Sequence, residues 1–381
     1  MQDRPMETRK YFLDWLRVAA FGLLILFHVG MLYVSWQYPL RSPRPYPAIE
    51  PLMNAVSAWR LALLFLISGA ASCYLISRLG PDAFALDRLR RLLPVIVTGM
   101  YVVIPPQTYI VLVSRGATHM GFPAFWWTQY LRANQTLVRP YHMTMPTWDH
   151  LWFLVYLLIY TLVAATTVSI ARRMGARTMP RVPLAFLILG PPVWLVFTNL
   201  LILTKAPITD ALVNDWGGHL KWVGMFVTGL LAARQDRFWA ALETHWGKLS
   251  AVAAVLLLVQ LNVNDPAWSV VSGVYAWAAI CALCGFAKTF LNHPSLLLSH
   301  LTEAVLPVYV LHQPVLFVAA YWLFPLGLPV PVEALLLAAA TGLGSFAIYE
   351  GLIRPFPFSR FLFGLKPKTR EGGYERGATA H

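Results

Sequence analysis

Apolar runs recur along the whole chain at lengths that suit membrane-spanning helices. A helix rises about 1.5 Å per residue, so crossing a hydrocarbon core of about 30 Å takes roughly 20 apolar residues. Ten such runs occur, of which the sixth and seventh are the weakest. They lie near residues 12–35, 60–78, 92–114, 150–170, 182–204, 219–234, 248–263, 270–289, 305–324 and 332–353. The pattern predicts an all-α, polytopic membrane bundle of about ten transmembrane helices.

The composition supports the same fold class. Hydrophobic residues make up 58% of the 381 residues, charged residues make up 12%, and the mean hydropathy is +0.58. Soluble domains carry about 25% charged residues, so this chain has too little charge to cover a soluble globule. We therefore expect one membrane domain over residues 1–365, followed by a basic, disordered cytoplasmic tail over residues 366–381.

The distribution of Lys and Arg predicts the orientation in the membrane, because these residues are enriched in cytoplasmic connections. With a cytoplasmic N-terminus and alternating connections, 22 of the 30 Lys and Arg residues fall inside and 8 outside. This split favours an even number of helices with both termini cytoplasmic. The net charge of +13 then reflects topology and contact with anionic membrane lipid, and it requires no nucleic acid partner.

An ionisable residue inside an apolar run is costly in lipid and usually faces a cavity or a partner. His28 is the foremost such residue. It follows Arg17 by eleven positions, which places it about 16 Å deeper along a helix and within about 20° of the same face, where Asp14 also lies. A desolvated imidazole is uncharged near pH 7 and can accept a proton from a hydroxyl. His28 is therefore a candidate general base, and an imidazole that only bonds a neighbouring helix is the alternative.

Other polar and aromatic residues are candidates for substrate binding. His312 and Gln313 form a polar pair inside the ninth run. The long connection before the fourth run is rich in aromatic residues, whose faces suit sugar rings. An interfacial aromatic belt and ordinary packing are the alternatives. The candidates for acceptor binding in this region are Trp126, Trp127, Trp148 and His150.

Prolines within the apolar runs predict interruptions of membrane helices. Proline lacks the N–H that a helix interior needs, and broken backbone at membrane depth occurs where it is buried or lines a cavity. The pairs Pro105–Pro106 and Pro191–Pro192 lie in the third and fifth runs. Both pairs are therefore expected to break their helices.

Several segments, in this order, resemble the acyltransferase-3 family of integral membrane enzymes. They are RKYFLDWLRVAAFGLLILFHVGMLY at 9–33, WRLALLFLISGA at 59–70, RLRR at 88–91, HLWFLVYLLIY at 150–160 and YVLHQPVLF at 309–317. In that family a basic residue precedes a catalytic histidine with ten residues between them, and Arg17 and His28 occupy those places. The resemblance covers nearly the whole chain.

The resemblance implies an enzyme that moves an acyl group from cytosolic acyl-CoA to an extracytoplasmic acceptor. It implies that His28 is catalytic, with Asp14, His312 and Gln313 in support. The family's Arg-x-x-Arg pattern falls on Arg88 and Arg91, which with Arg17 would bind donor phosphates, since guanidinium groups suit phosphate oxygens. Acyl-CoA is then a co-substrate, and no permanently bound cofactor and no metal are expected.

A narrower resemblance concerns the acyl group and its acceptor. The start RKYFLD, the Phe27–His28 pair and the segment PFSRFLFGLKP at 357–367 resemble family members of the bacterial inner (cytoplasmic) membrane that succinylate osmoregulated periplasmic glucans. This implies succinyl-CoA as donor and a periplasmic glucan as acceptor. Acetyl transfer to another envelope glycan or lipid-linked sugar, and a membrane transporter, are the alternatives. Attack by the acceptor hydroxyl on the thioester and a transient acyl-histidine both remain open.

Overall fold

The computed structural model describes residues 10–175 and 181–367, and within these residues the chain is helical without any β-strand. The α-helices are α1 Tyr11–Met31, α2 Glu50–Leu79, α3 Pro81–Thr98, α4 Pro105–Ser114, α5 Phe122–Phe125, α6 Gln135–Val138, α7 Trp152–Arg173, α8 Leu184–Thr204, α9 Trp216–Ala232, α10 Asp236–Gln260, α11 Ala267–Phe290, α12 Leu296–Leu323, α13 Val330–Ile348 and α14 Pro357–Leu362. The predicted tail lies outside the described residues from 368 onward, as do Arg4, Arg9 and Arg177, which contributed to the predicted orientation.

In the described ranges, nine helical segments are long and apolar enough to cross a membrane. They coincide with nine of the ten predicted runs. The sixth run corresponds to α9, whose 17 residues span only about 26 Å. The prediction of an all-α, polytopic membrane bundle is thus confirmed.

The predicted proline breaks occur at one of the two sites. A π-helical turn, Gly99–Val103, separates α3 from α4, which begins at Pro105. Pro191 and Pro192 instead lie inside an uninterrupted α8, so the prediction for that pair was wrong. Pro192 leaves the carbonyl of Ile188 without its helical donor. The indole Nε1 of Trp277 donates to that carbonyl at 3.0 Å, so α11 supplies the missing hydrogen bond.

Helices α2 and α9 approach each other through reciprocal glycines. A Cβ atom on Gly69 would lie 1.9 Å from the carbonyl oxygen of Phe226, and one on Gly229 would lie 1.9 Å from that of Leu66. Small residues allow this backbone contact, which any side chain at either position would force apart. The contact fixes the position of α2 in the bundle.

The connection between α4 and α7 is folded onto the end of the bundle. It contains α5 and α6 and has a small hydrophobic core that includes Phe125, Tyr130 and Met145. The hydroxyl of Tyr130 donates to the carbonyl of Met100 at 2.8 Å, which ties the connection to the turn after α3. Part of its aromatic content therefore serves the folding of the connection itself.

Candidate active site

His28 lies in the last turn of α1 and lines a partly open cavity of about 500 Å³. Helix α1 ends at Met31, four residues before the predicted end, but the chain stays buried through residues 32–34, so the imidazole remains inside the protein. The cavity walls come from α1, α2, α7, α12 and three connections, around Tyr38, residues 142–149 and residues 209–211. The His28 side chain is therefore accessible from the cavity.

The cavity extends in two directions from His28. On α1 its wall continues through Leu24 to Phe21, which is four residues, or about one helical turn, from Arg17. At the other end the walls are the three connections, which the predicted orientation places outside the cell. The imidazole thus lies between the arginine-bearing end of α1 and the predicted outer surface.

A hydrogen bond joins His28 to His312. Nδ1 of His28 lies 3.1 Å from Nε2 of His312, and the ring centroids are 4.9 Å apart. Nδ1 of His312 lies 2.5 Å from the carbonyl oxygen of Tyr309, and Nδ1 of His28 lies 3.0 Å from that of Leu24. Carbonyl oxygens only accept hydrogen bonds, so in neutral rings each Nδ1 carries the proton. His28 then donates to His312 and keeps a lone pair on its own Nε2.

His150 packs against the edge of this pair, with its ring centroid 5.2 Å from that of His312. Its Nε2 donates to the carbonyl of Val310 at 3.0 Å. Pro314, four residues after Val310, has no N–H for that carbonyl, so His150 replaces the missing helical donor. This bond fastens the start of α7 to α12 beside the histidine pair.

Asp149 is held in the cavity wall by two glutamines. Nε2 of Gln313 donates to its Oδ1 at 3.0 Å, and Nε2 of Gln107 donates to its Oδ2 at 2.7 Å. The structure therefore places Gln313 against Asp149 and not against His28. Each carboxylate oxygen has two lone pairs, so Asp149 can still accept a hydrogen bond from a substrate hydroxyl.

The predicted acceptor-binding residues are not all at the cavity. Trp148 and His150 line it, and the indole Nε1 of Trp148 donates to the carbonyl of Asp210 at 3.3 Å. Trp126 donates to the carbonyl of Tyr101 at 2.9 Å, and Trp127 is 63% exposed. Neither Trp126 nor Trp127 lines the cavity.

The predicted donor-binding residues Arg17, Arg88 and Arg91, here called the arginine group, lie together. The charge of Arg91 interacts with those of Arg88 and Arg17, and its Nε donates to the carbonyl of Gly364 at 3.2 Å. Asp14 belongs to the same region, since its Oδ1 lies 3.5 Å from Nη1 of Arg17. The arginine group lies outside the cavity lining, with Arg17 about 16 Å from His28 along α1.

Arg60 and Tyr38 line the cavity as well, and neither is among the site residues that the sequence predicts. Arg60 on α2 is 3% exposed, and its guanidinium carbon lies 3.8 Å from the ring centroid of Phe27. The Tyr38 ring centroid is 6.4 Å from that of His28, and among the described residues its hydroxyl has no hydrogen-bond partner. Arg60 is ionisable but stands at the first position of the second predicted run, where a charge usually marks a helix flank. Tyr38 lies in a connection and carries no comparable signal.

Asp210 adds a second carboxylate to the outer part of the cavity. Asp210 is exposed at the surface of its connection and also lines the cavity. Partial desolvation there and repulsion from the carboxylates of Asp215 and Asp149 raise the pKa of Asp210 to about 7. The end of the cavity formed by the connections thus carries two carboxyl groups, those of Asp149 and Asp210, and Arg60 lines the same cavity as His28.

The fold is that of an integral membrane protein with a histidine-lined cavity among its helices. The profile of the acyltransferase-3 family, described as an acyltransferase domain, matches residues 10–350. The chain belongs to this family, as its motifs predicted, and it is a multi-pass membrane acyltransferase.

Comparison with curated proteins gives relatives over nearly the full length. The glucans biosynthesis proteins C of Salmonella agona and Salmonella choleraesuis are each 25% identical to this chain over 394 aligned positions. The alignments cover 95% of this chain and 96% of each relative. No solved structure matches the chain.

Proposed function

We propose that the chain transfers a succinyl group from cytosolic succinyl-CoA to a hydroxyl of a periplasmic glucan, in the inner membrane of a bacterium, with both termini cytoplasmic. The observation that carries this proposal is the position of His28, an oriented imidazole on the wall of a cavity between the arginine group and the outer connections. The relatives are named for glucan biosynthesis, which supports a glucan as the acceptor.

His28 acts as the general base in this reaction. Its Nε2 takes the proton of the acceptor hydroxyl while the hydroxyl oxygen attacks the thioester carbonyl carbon. The new C–O bond forms, the C–S bond breaks, and the coenzyme A thiolate leaves and takes up the proton from His28. A positioned base contributes about 10²–10⁴ in rate.

The negative charge that develops on the thioester oxygen needs a hydrogen-bond donor. The hydroxyl of Tyr38 suits this role, because the Tyr38 ring lies beside that of His28 in the cavity wall and the hydroxyl has no hydrogen-bond partner among the described residues. Burial raises the pKa of Tyr38 well above its usual value, so the hydroxyl keeps its proton for donation. Its contribution is electrostatic and leaves proton transfer to His28.

The arginine group would hold the phosphates of coenzyme A at the cytoplasmic end of α1 and α3. The pantetheine arm would then follow the cavity wall past Phe21 and Leu24 to His28. The acceptor would enter between the outer connections, where Trp148 offers an aromatic face and Asp149 accepts hydroxyl hydrogen bonds. Donor and acceptor therefore meet at His28 without the donor crossing the membrane.

The proposal is tested by mass spectrometry of envelope glucans from cells that lack the gene and carry a plasmid copy. The wild-type chain should restore succinylated glucan, and His28→Ala should not, although it reaches the membrane in equal amount. His293→Ala, which changes an exposed histidine outside the cavity, is the control and should restore it fully. Glucans that are identical with and without the gene would refute the glucan as acceptor.

A further inference from the structure

Arg60 is a buried cation that has no ion-pair partner among the described residues. It is the eleventh residue of α2, it is 3% exposed, and it lines the same cavity as His28. No hydrogen bond or ion pair joins its guanidinium to another described residue, and its Nε and Nη1 atoms are buried without partners. Its charge contacts the face of Phe27, the residue before His28. A cationic donor group is therefore held beside the candidate base.

A buried charge without a counter-ion is costly, and more so within a membrane bundle. The contact with the Phe27 ring offsets only part of that cost. The two described carboxylates of the cavity, Asp149 and Asp210, form no ion pair with Arg60, and the oxygens of Asp149 instead accept hydrogen bonds from Gln313 and Gln107. The guanidinium is thus suited to an anion that a ligand brings into the cavity.

We propose that Arg60 binds the distal carboxylate of the transferred acyl group and thereby selects a dicarboxylic donor, such as succinyl-CoA, over a monocarboxylic one, such as acetyl-CoA. This inference rests on the proposed function. A succinyl thioester carries its free carboxylate at the far end of a four-carbon chain, so the carboxylate lies a few bonds from the carbonyl that reacts at His28. The planar guanidinium can bind such a carboxylate through two parallel hydrogen bonds.

Two other anions are possible ligands of Arg60, and neither explains its buried, unpaired guanidinium as well as a carboxylate does. A coenzyme A phosphate bound at Arg60 would carry the thioester beyond His28, and the arginine group lies elsewhere, about one helical turn past Phe21. The oxyanion formed from the thioester is the second. An oxyanion role would make Arg60 necessary for every acyl group alike, whereas a carboxylate role makes it necessary only for dicarboxylic ones.

The test compares kcat/KM for succinyl-CoA and acetyl-CoA in full-length wild-type and Arg60→Met proteins in lipid nanodiscs, with one neutral gluco-oligosaccharide as acceptor. Methionine fills a similar length but cannot bind a carboxylate. We expect kcat/KM for succinyl-CoA to fall about 100-fold, as when one partner of a buried charge pair is removed, and that for acetyl-CoA to stay unchanged or rise. Arg60→Lys keeps the charge but not the planar guanidinium that forms two parallel hydrogen bonds, so kcat/KM for succinyl-CoA should fall less than in Arg60→Met.

Arg172→Met is the matched control, because Arg172 is exposed at the far end of α7. This substitution should leave kcat/KM unchanged for both succinyl-CoA and acetyl-CoA. Parallel losses for both donors would overturn the inference. If the unfolding temperature is unchanged, such losses show that Arg60 stabilises the oxyanion. If the unfolding temperature is lowered, they show that Arg60 stabilises the fold. A wild-type chain that transfers acetyl but not succinyl would refute succinyl-CoA as the donor and the inference with it, whereas parallel losses in an Arg60→Met protein whose wild type transfers succinyl overturn the inference alone. One that transfers neither would refute the proposed function and the inference with it.

Discussion

His312→Ala tests how the base is oriented. The substitution removes the group that accepts the hydrogen bond from Nδ1 of His28 at 3.1 Å, while the carbonyl of Leu24 at 3.0 Å remains as the second acceptor. The imidazole thus keeps its tautomer but loses the contact that fixes its orientation toward the cavity. A histidine whose second nitrogen is held by a neighbouring group is the usual way to position a base.

The magnitude follows from the loss of one buried hydrogen bond. Removing a partner from a buried polar group costs about 1–3 kcal/mol, which corresponds to about a 5- to 150-fold loss of kcat at 1.36 kcal/mol per tenfold. Because Leu24 still accepts from His28, we expect the lower part of this range for His312→Ala. His28→Ala should lose more, about 10²–10⁴-fold.

The assay is steady-state acyl transfer by purified protein, with kcat and KM measured for both substrates and the unfolding temperature measured in parallel. His312→Gln, whose side-chain oxygen can accept from Nδ1 of His28, should recover most of the rate. The His28→Ala, His312→Ala double variant should be no slower than His28→Ala, because both residues act through one imidazole. Fully additive losses, or a rise in KM in place of the fall in kcat, would refute the positioning role.

The arginine group, the Asp210 connection and the glycine contact provide three further tests. Arg91→Ala should raise KM for acyl-CoA about 10- to 100-fold through a lost charge-assisted bond, with kcat retained; a fall in kcat alone would contradict donor binding. Because the folded pKa of Asp210, about 7, exceeds the unfolded value of about 3.9, its protonated form stabilises the fold, and this stabilisation is lost between about pH 4 and pH 7. Between about pH 4 and pH 7 the unfolding temperature should therefore fall less in Asp210→Asn than in the wild type. If the unfolding temperatures of the two proteins depend on pH identically, the raised pKa of Asp210 is disproved. Gly229→Ala should lower the unfolding temperature by overpacking against Leu66, at a cost of about 1–3 kcal/mol, whereas Gly247→Ala, with open space at its Cβ position, should not; equal behaviour of the two variants would contradict the close contact.

The membrane helices, and the presence of a polar residue, His28, inside the first of them, were predictable because both depend on local sequence. An apolar run of about 20 residues specifies a spanning helix whatever its neighbours are. The contact between His28 and His312 joins residues 284 positions apart, and no local pattern encodes that pairing. The bond from His150 to the carbonyl that Pro314 leaves unpaired is equally non-local.

Two features of the cavity could not be read from local sequence. Arg60 stands at the predicted start of the second run, where a charge suggests a helix flank, but α2 begins at Glu50 and carries Arg60 into the interior. Aromatic enrichment before the fourth run does not separate residues that face the cavity from those that fold the connection. Trp148 lines the cavity, whereas Trp126 bonds to the backbone of Tyr101.

The central claim is that a thioester reaches His28 from the arginine group while an alcohol reaches it from the outer connections. A sided assay in vesicles that hold the protein in one known orientation tests this claim most directly. With labelled succinyl-CoA in the compartment of the arginine group and glucan in the opposite one, we predict labelled glucan, and with the two exchanged we predict none. Transfer that requires both substrates in the same compartment would contradict the account.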